Sequence, residues 1–416
     1  MNIEPENPTL RLPSPVARLA MPMMGVGAVL LLVGVLLGAI FSSVEMRFAM
    51  GAYLTAYTYC LTISLGALFF VIIQHLCRAG WSVTVRRVAE LLMSVLPVMA
   101  VLFLPILATL WIGEGTLYRW DSEEWVAAHH PDWLNPESPQ RSKGIYLSDW
   151  FFTLRAILYL SIWAGLALYF FRLSRRQDDT AEIRLTERMQ AFSGPAVILF
   201  SLSVTFAAFD WVMSLEPIWF STMFGVYIFA GGMLSAICAI TVGVYLVQAA
   251  GSLRQQVTVE HYHDLAKLIF GFVTFWTYIA FSQYLLIWYG NIPEETFWFG
   301  DRQEHGWAIV SLILVFFHWL LPFLALLNRN LRRRPAYVCG WAAYVLLMHF
   351  VDIYWLVMPS VTESPTGGVM GVVTTVLCSL GMVGLFIGAV LRAGDGAPLI
   401  PVRDPRLQES LAFHNI

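Results

Sequence analysis

Polar residues interrupt this chain only at long intervals. Apolar runs occupy 21–42, 51–76, 88–112, 149–173, 191–213, 220–249, 262–289, 306–328, 336–358 and 368–392. Each is of the order of the ~20 residues with which an α-helix crosses the hydrocarbon core of a bilayer. None shows the strict alternation of a barrel strand, and helices satisfy their own backbone hydrogen bonds in lipid. The pattern predicts an all-α integral membrane protein with ten transmembrane helices. It divides the chain into an N-terminal segment (1–20), spans 1–5 (21–213) with a long outer loop (113–148), spans 6–10 (214–392) and a C-terminal tail (393–416). The first twenty residues are proline-rich and lack a basic n-region, so the first run reads as a span rather than a cleaved signal peptide.

Charge then orients the spans. Only 13% of the 416 residues are charged, 58% are hydrophobic, and the mean hydropathy is +0.66, usage that excludes a soluble globular protein. Of the 25 Lys and Arg, Arg47, Arg119, Arg141, Lys143 and Arg302 belong to one set of loops. Arg155 falls within a span, and all the others fall on the opposite side, Arg86 and Arg87 among them. By the positive-inside rule, both termini are expected in the cytoplasm of a bacterial inner-membrane protein. The five cysteines stand singly, without a CxxC or CxxCH, which argues against c-type haem and iron–sulfur ligation by this chain.

Ionisable groups inside spans are costly and usually face an interior or a pathway. In the second half, "HFVDIYW" places His349 and Asp352 one helical turn apart, on one face of the ninth span. His318 lies near the middle of the eighth span, and His263, Asp264 and Lys267 open the seventh. Three readings are open: a satisfied hydrogen-bond network, a bis-His haem between His318 and His349, and a protonatable chain. The last suits histidine, whose pKa lies near neutrality. In the first half, Asp149, Arg155, Asp210, Tyr53 and Tyr57 form a polar outer group, with Arg155 and Asp210 expected to pair. The outer loop carries Trp120, Trp125, Trp133, His129 and His130, which fit either interfacial anchoring or the docking of an extracytoplasmic partner.

Two aromatic-rich runs, "FDWVMSLEPIWFSTMFGVY" (209–227) and "FWTYIAFSQYLLIWYGNIPEETFWF" (275–299), resemble the membrane subunits of alternative complex III. These are quinol:cytochrome c or quinol:acceptor oxidoreductases with NrfD/polysulfide-reductase-C-like membrane proteins, and the ActF-type subunit is the most similar. The resemblance implies two four-helix bundles, spans 2–5 and 6–9, flanked by spans 1 and 10. It implies a sister NrfD-like membrane subunit, an extracytoplasmic iron–sulfur protein and c-type haem subunits as partners, with quinone or quinol as a possible ligand. The outer half of the first bundle has no histidine to serve as a base, which favours the sister subunit as the quinol oxidation site and leaves this chain with scaffold and proton route. A structural anchor and a secondary transporter are the alternatives. Pro97, Pro105, Pro195 and Pro322 interrupt spans, but they do not recur at matching positions in the two halves as in repeat-built transporters.

Overall fold

The computed structural model describes residues 8–40, 45–113 and 115–415. Positions 1–7, 41–44, 114 and 416 of the segments named above lie outside the described residues. Among the described residues, ten helices are long and apolar enough to span a membrane: α1 (Ser14–Gly38), α2 (Glu45–Leu76), α3 (Val83–Ile112), α4 (Asp149–Thr180), α5 (Ile183–Leu215), α6 (Phe224–Ala249), α7 (Val259–Gly290), α8 (Trp307–Ala325), α9 (Pro335–Ser360) and α10 (Gly368–Gly394). No strand occurs among the described residues. The protein is an all-α integral membrane protein.

Helices α2–α5 pack together, as do α6–α9, while α1 and α10 pair with each other and lean on α2. The two bundles meet where α2 crosses α6. A Cβ added to Gly66 would lie 2.1 Å from the Gly232 carbonyl oxygen, so the two backbones touch. Small residues permit such crossings, and close van der Waals packing holds helices together in lipid, where hydrophobicity supplies no preference for helix over lipid contact.

Proline shapes two spans. In α3 the helix breaks at Phe103 ahead of Pro105, and the Tyr53 hydroxyl donates to the Leu102 carbonyl at 2.6 Å. In α8 the stretch Leu314–Leu320 adopts a π-helix. Pro322 has no N–H for the carbonyl of His318, one α-helical step back, so regular α pairing cannot continue there. The Tyr344 hydroxyl caps the neighbouring Phe317 carbonyl at 3.0 Å. Pro195, by contrast, sits inside a continuous α5.

Both described ends of the chain lie at one end of the bundle, here called proximal: the Leu399 N–H donates to the Leu10 carbonyl at 2.6 Å. Several expected boundaries move. α1 begins at Ser14, inside the presumed N-terminal segment, and α4 and α5 run beyond the apolar stretches to Thr180 and from Ile183. Their polar extensions remain helical because nothing in 174–190 breaks the pattern until Ala181, which adopts a left-handed conformation at the α4 terminus. Arg86 and Arg87 are not loop cations; they are buried in α3. Each meets Glu90, Arg86 also pairs with Asp404, and Arg87 pairs with Asp178. Burial of this many charges is tolerable only because each has an opposite partner. Asp404 belongs to the C-terminal tail, which is folded onto the proximal surface: Ser410 donates to the Trp81 carbonyl at 2.6 Å, and Lys267 reaches Asn415 at 2.9 Å. At the other, distal end Arg302 is also buried rather than free. It donates to the carbonyls of Trp298 and Leu356 and packs 3.3 Å from the Trp298 ring centroid. Burial pushes its pKa down to about 9.

Candidate functional site

A fully buried polar centre lies where α9 faces α2, α6 and α7. His349 and Asp352, one turn apart on α9, are 1% and 0% exposed. Space for the imidazole comes from Gly231 on α6, where an added Cβ would stand 2.9 Å from His349 Cε1. The Asp352 carboxylate accepts from the Tyr227 hydroxyl at 2.5 Å and from the Trp276 indole N–H at 3.1 Å. His349 Nε2 lies 3.0 Å from Thr62 Oγ1 on α2.

Thr62 Oγ1 stands 3.0 Å from both the Tyr59 carbonyl and His349 Nε2, and its one hydroxyl proton can go to either. With that proton on the Tyr59 carbonyl the neutral imidazole carries Nε2–H; with it on Nε2 the ring carries Nδ1–H toward Asp352. His349 Nδ1 lies 3.7 Å from Asp352 Oδ2 and has no hydrogen-bond partner. An imidazole set between a rotatable hydroxyl and a carboxylate is an arrangement suited to passing a proton.

His318 lies on the π segment of α8, fully buried, its ring edge-on to Trp276 with centroids 4.3 Å apart. Neither ring nitrogen has a partner. Unpaired buried polar atoms cost about 1–3 kcal/mol each, and π-helical turns occur often at functional sites. Trp276 thus touches His318 with its ring and Asp352 with its N–H, joining the three sequence-predicted residues into one cluster. The bis-His haem reading loses its geometry here, because His349 Nε2 is engaged by Thr62 and Nδ1 faces a carboxylate.

The structure does not bring His263, Asp264 and Lys267 into this cluster. They lie at the proximal start of α7, about 20 Å of helical rise from Trp276. Lys267 pairs with Asp264 at 2.6 Å, and His263 Nδ1 is buried without a partner.

In the first bundle, Arg155 and Asp210 pair as expected, with both guanidinium contacts made: Nε to Oδ2 at 2.7 Å and Nη2 to Oδ1 at 3.1 Å. Tyr159 donates to the same carboxylate at 2.9 Å, and Arg155 also donates to the Tyr146 carbonyl at 2.8 Å. These groups satisfy one another and leave no free base. Tyr53 is spent on the α3 break. Asp149, at the first turn of α4, is separate from them and lines a cleft under the long distal loop. Tyr57 Oη and Trp211 Nε1 are among the buried donors without an acceptor, their ring centroids 6.5 Å apart. Phe103 packs on both rings, at 5.4 and 4.2 Å, and fills the space beside them.

No protein-family model matches the chain, and no curated protein matches it. Function therefore rests on the site itself and on the sequence motifs.

Sequence reasoning missed Thr62, Tyr227, Gly231 and Trp276, the residues that surround the His349–Asp352 pair. Tyr227 and Trp276 carry polar handles within apolar spans, a usable signal in the two aromatic runs. Thr62 and Gly231 carry none, since both types are ordinary in membrane helices.

Proposed function

We propose that this chain is the ten-span membrane subunit of a quinol-oxidising respiratory complex of the alternative complex III kind, and that its second bundle holds a proton-exchange centre. The observation that carries the proton role is the approach of His349 Nδ1 to Asp352 Oδ2, 3.7 Å apart and without a hydrogen bond in a fully buried site, with His318 and its two unpartnered nitrogens beside them. The two aromatic runs support the complex, and the resemblance they carry implies a sister NrfD-like membrane subunit as partner; the scattered cysteines support a reading in which c-type haem subunits and an extracytoplasmic iron–sulfur protein hold the redox centres. In this reading the proximal end faces the cytoplasm of a bacterial inner membrane, consistent with its Arg-rich loops. Arg155 with Asp210 provides scaffold.

When a proton arrives, the pair takes it at Nδ1 or Oδ2, and the Tyr227 and Trp276 donors hold the carboxylate in place. His318, with both nitrogens unpaired, is the neighbouring acceptor. His263, Asp264 and Lys267 form the proximal mouth, and transfer over the intervening span requires internal water.

The test is to purify the tagged chain from native membranes, identify co-purifying subunits by mass spectrometry and reconstitute the complex. His349→Gln and Asp352→Asn are expected to assemble normally and to lower turnover or the proton-to-electron ratio. An unchanged ratio and turnover in both would remove the proton role, while isolation of the chain alone would remove the complex.

A further inference from the structure

The distal cleft where Asp149 was found is a second built site, independent of the proton centre. It holds about 590 Å³ between the long loop and the distal ends of α3 and α4, within the range of small-molecule sites. It is lined by Trp111, Trp120 and Trp150, by Glu123 and Asp149, and by Arg141. Asp121 lines it too, its carboxylate engaged by the Gly115 N–H at 3.1 Å among other contacts. Trp120 is 5% exposed, and its indole N–H has no acceptor.

The chemistry of this lining is specific. Aromatic faces together with carboxylates recognise an ammonium group. A lone arginine beside an unpaired indole N–H suits a phosphate oxygen. Glu123 and Asp149 against the one arginine leave acidic residues in excess in the lining, which disfavours a purely anionic ligand. The position identifies the occupant. Trp111 and Trp150 line the cleft and also head two apolar stripes exposed on the outside of the bundle, Val101, Leu104 and Trp111 on α3 and Trp150, Leu154 and Leu158 on α4. The second stripe has a four-residue spacing and descends a single helix face.

We propose that this cleft binds the head group of an ammonium-bearing phospholipid, with the acyl chains lying down the α3 and α4 stripes. The ammonium meets Glu123, Asp149 and the indoles, and the phosphate meets Arg141 and the Trp120 N–H. The lipid would fill the cleft and join the long loop to the bilayer surface, so that the loop is held at a fixed height for whatever docks upon it.

The experiment is native mass spectrometry of the full chain released from nanodiscs of equimolar phosphatidylethanolamine and phosphatidylglycerol. One phosphatidylethanolamine is expected to be retained per chain. Retention should fall about tenfold in Glu123→Gln and in Trp120→Phe, for loss of one charge-assisted or buried contact. Glu123→Gln is isosteric, Trp120→Phe removes the N–H together with one ring, and an unchanged melting temperature in lipid-free detergent verifies for each that the loop is intact. Equal retention of phosphatidylglycerol, or full retention in both variants, would overturn the proposal. Soluble phosphoethanolamine distinguishes the source of the head group: the lipid assignment predicts no displacement at millimolar concentration, and displacement would assign the cleft to a free solute instead.

Discussion

Breaking and then replacing the Arg155–Asp210 pair separates scaffold from chemistry in the first bundle. The Asp210 side chain is 0% exposed and that of Arg155 9%. Arg155→Met leaves the carboxylate with the Tyr159 hydroxyl and no cation. Removal of one partner from a buried pair costs about 3–5 kcal/mol, because the remaining charge stays in low dielectric. Asp210→Asn should cost less, about 1–3 kcal/mol. Its amide oxygen still accepts from Tyr159, and Arg155 keeps the Tyr146 carbonyl and the rings of Tyr146 and Phe151, at 3.8 and 4.4 Å. The double variant Arg155→Met/Asp210→Leu removes both charges and fills the space with apolar atoms, so it should lie within about 1–2 kcal/mol of the parent. The pair of substitutions then costs far less than the sum of the single ones, the signature of direct coupling. The assay is reversible unfolding in mixed micelles followed by circular dichroism, together with turnover of the assembled complex. Additive losses, or single variants as stable as the parent, would refute the coupling argued from the geometry. A stable double variant that has lost turnover would refute the scaffold role and return the pair to the chemistry.

Two further predictions follow from the proximal tail and the π segment. Burial by itself would raise the Asp404 carboxyl, but Arg86 holds it below the usual carboxylate range. Its contribution to tail docking is therefore present above the ordinary carboxyl pKa and is lost as the pH falls through the lowered folded value. Hydrogen exchange of residues 400–412 should stay slow at neutral pH and accelerate only below about pH 4; acceleration that begins near pH 6 would mean that another group governs docking. Pro322→Ala supplies the missing N–H to the His318 carbonyl and should draw Leu314–Leu320 into α register, raising stability by up to about 3 kcal/mol. The same change turns His318 away from Trp276, so turnover should fall while the melting temperature holds or rises. Unchanged turnover would show that the π register has no part in function.

Much of this architecture is legible in one dimension. Ten spans follow from apolar run length, because a bilayer core demands about 20 consecutive apolar residues whatever the partners are. His349 and Asp352 stand out for the same reason: charge inside such a run is rare enough to be noticed. Arg155 and Asp210 are likewise visible as a pair, since each would be intolerable alone. Tertiary structure decided the rest. Arg86 and Arg87 read as loop cations, because a sequence does not show that Asp404, more than three hundred residues away, folds back to neutralise one of them. Asp149 and Asp210 look equivalent in the sequence, yet one lines a surface cleft and the other is sealed in the bundle. The seat of the central imidazole depends on the Thr62 hydroxyl and on the absence of a side chain at Gly231. Neither leaves a mark on a hydropathy pattern. Hydrophobicity fixes which segments cross the membrane, because it is a property of each segment; hydrogen-bond direction and buried charge pairing belong to contacts between segments, and only the packed helices define those.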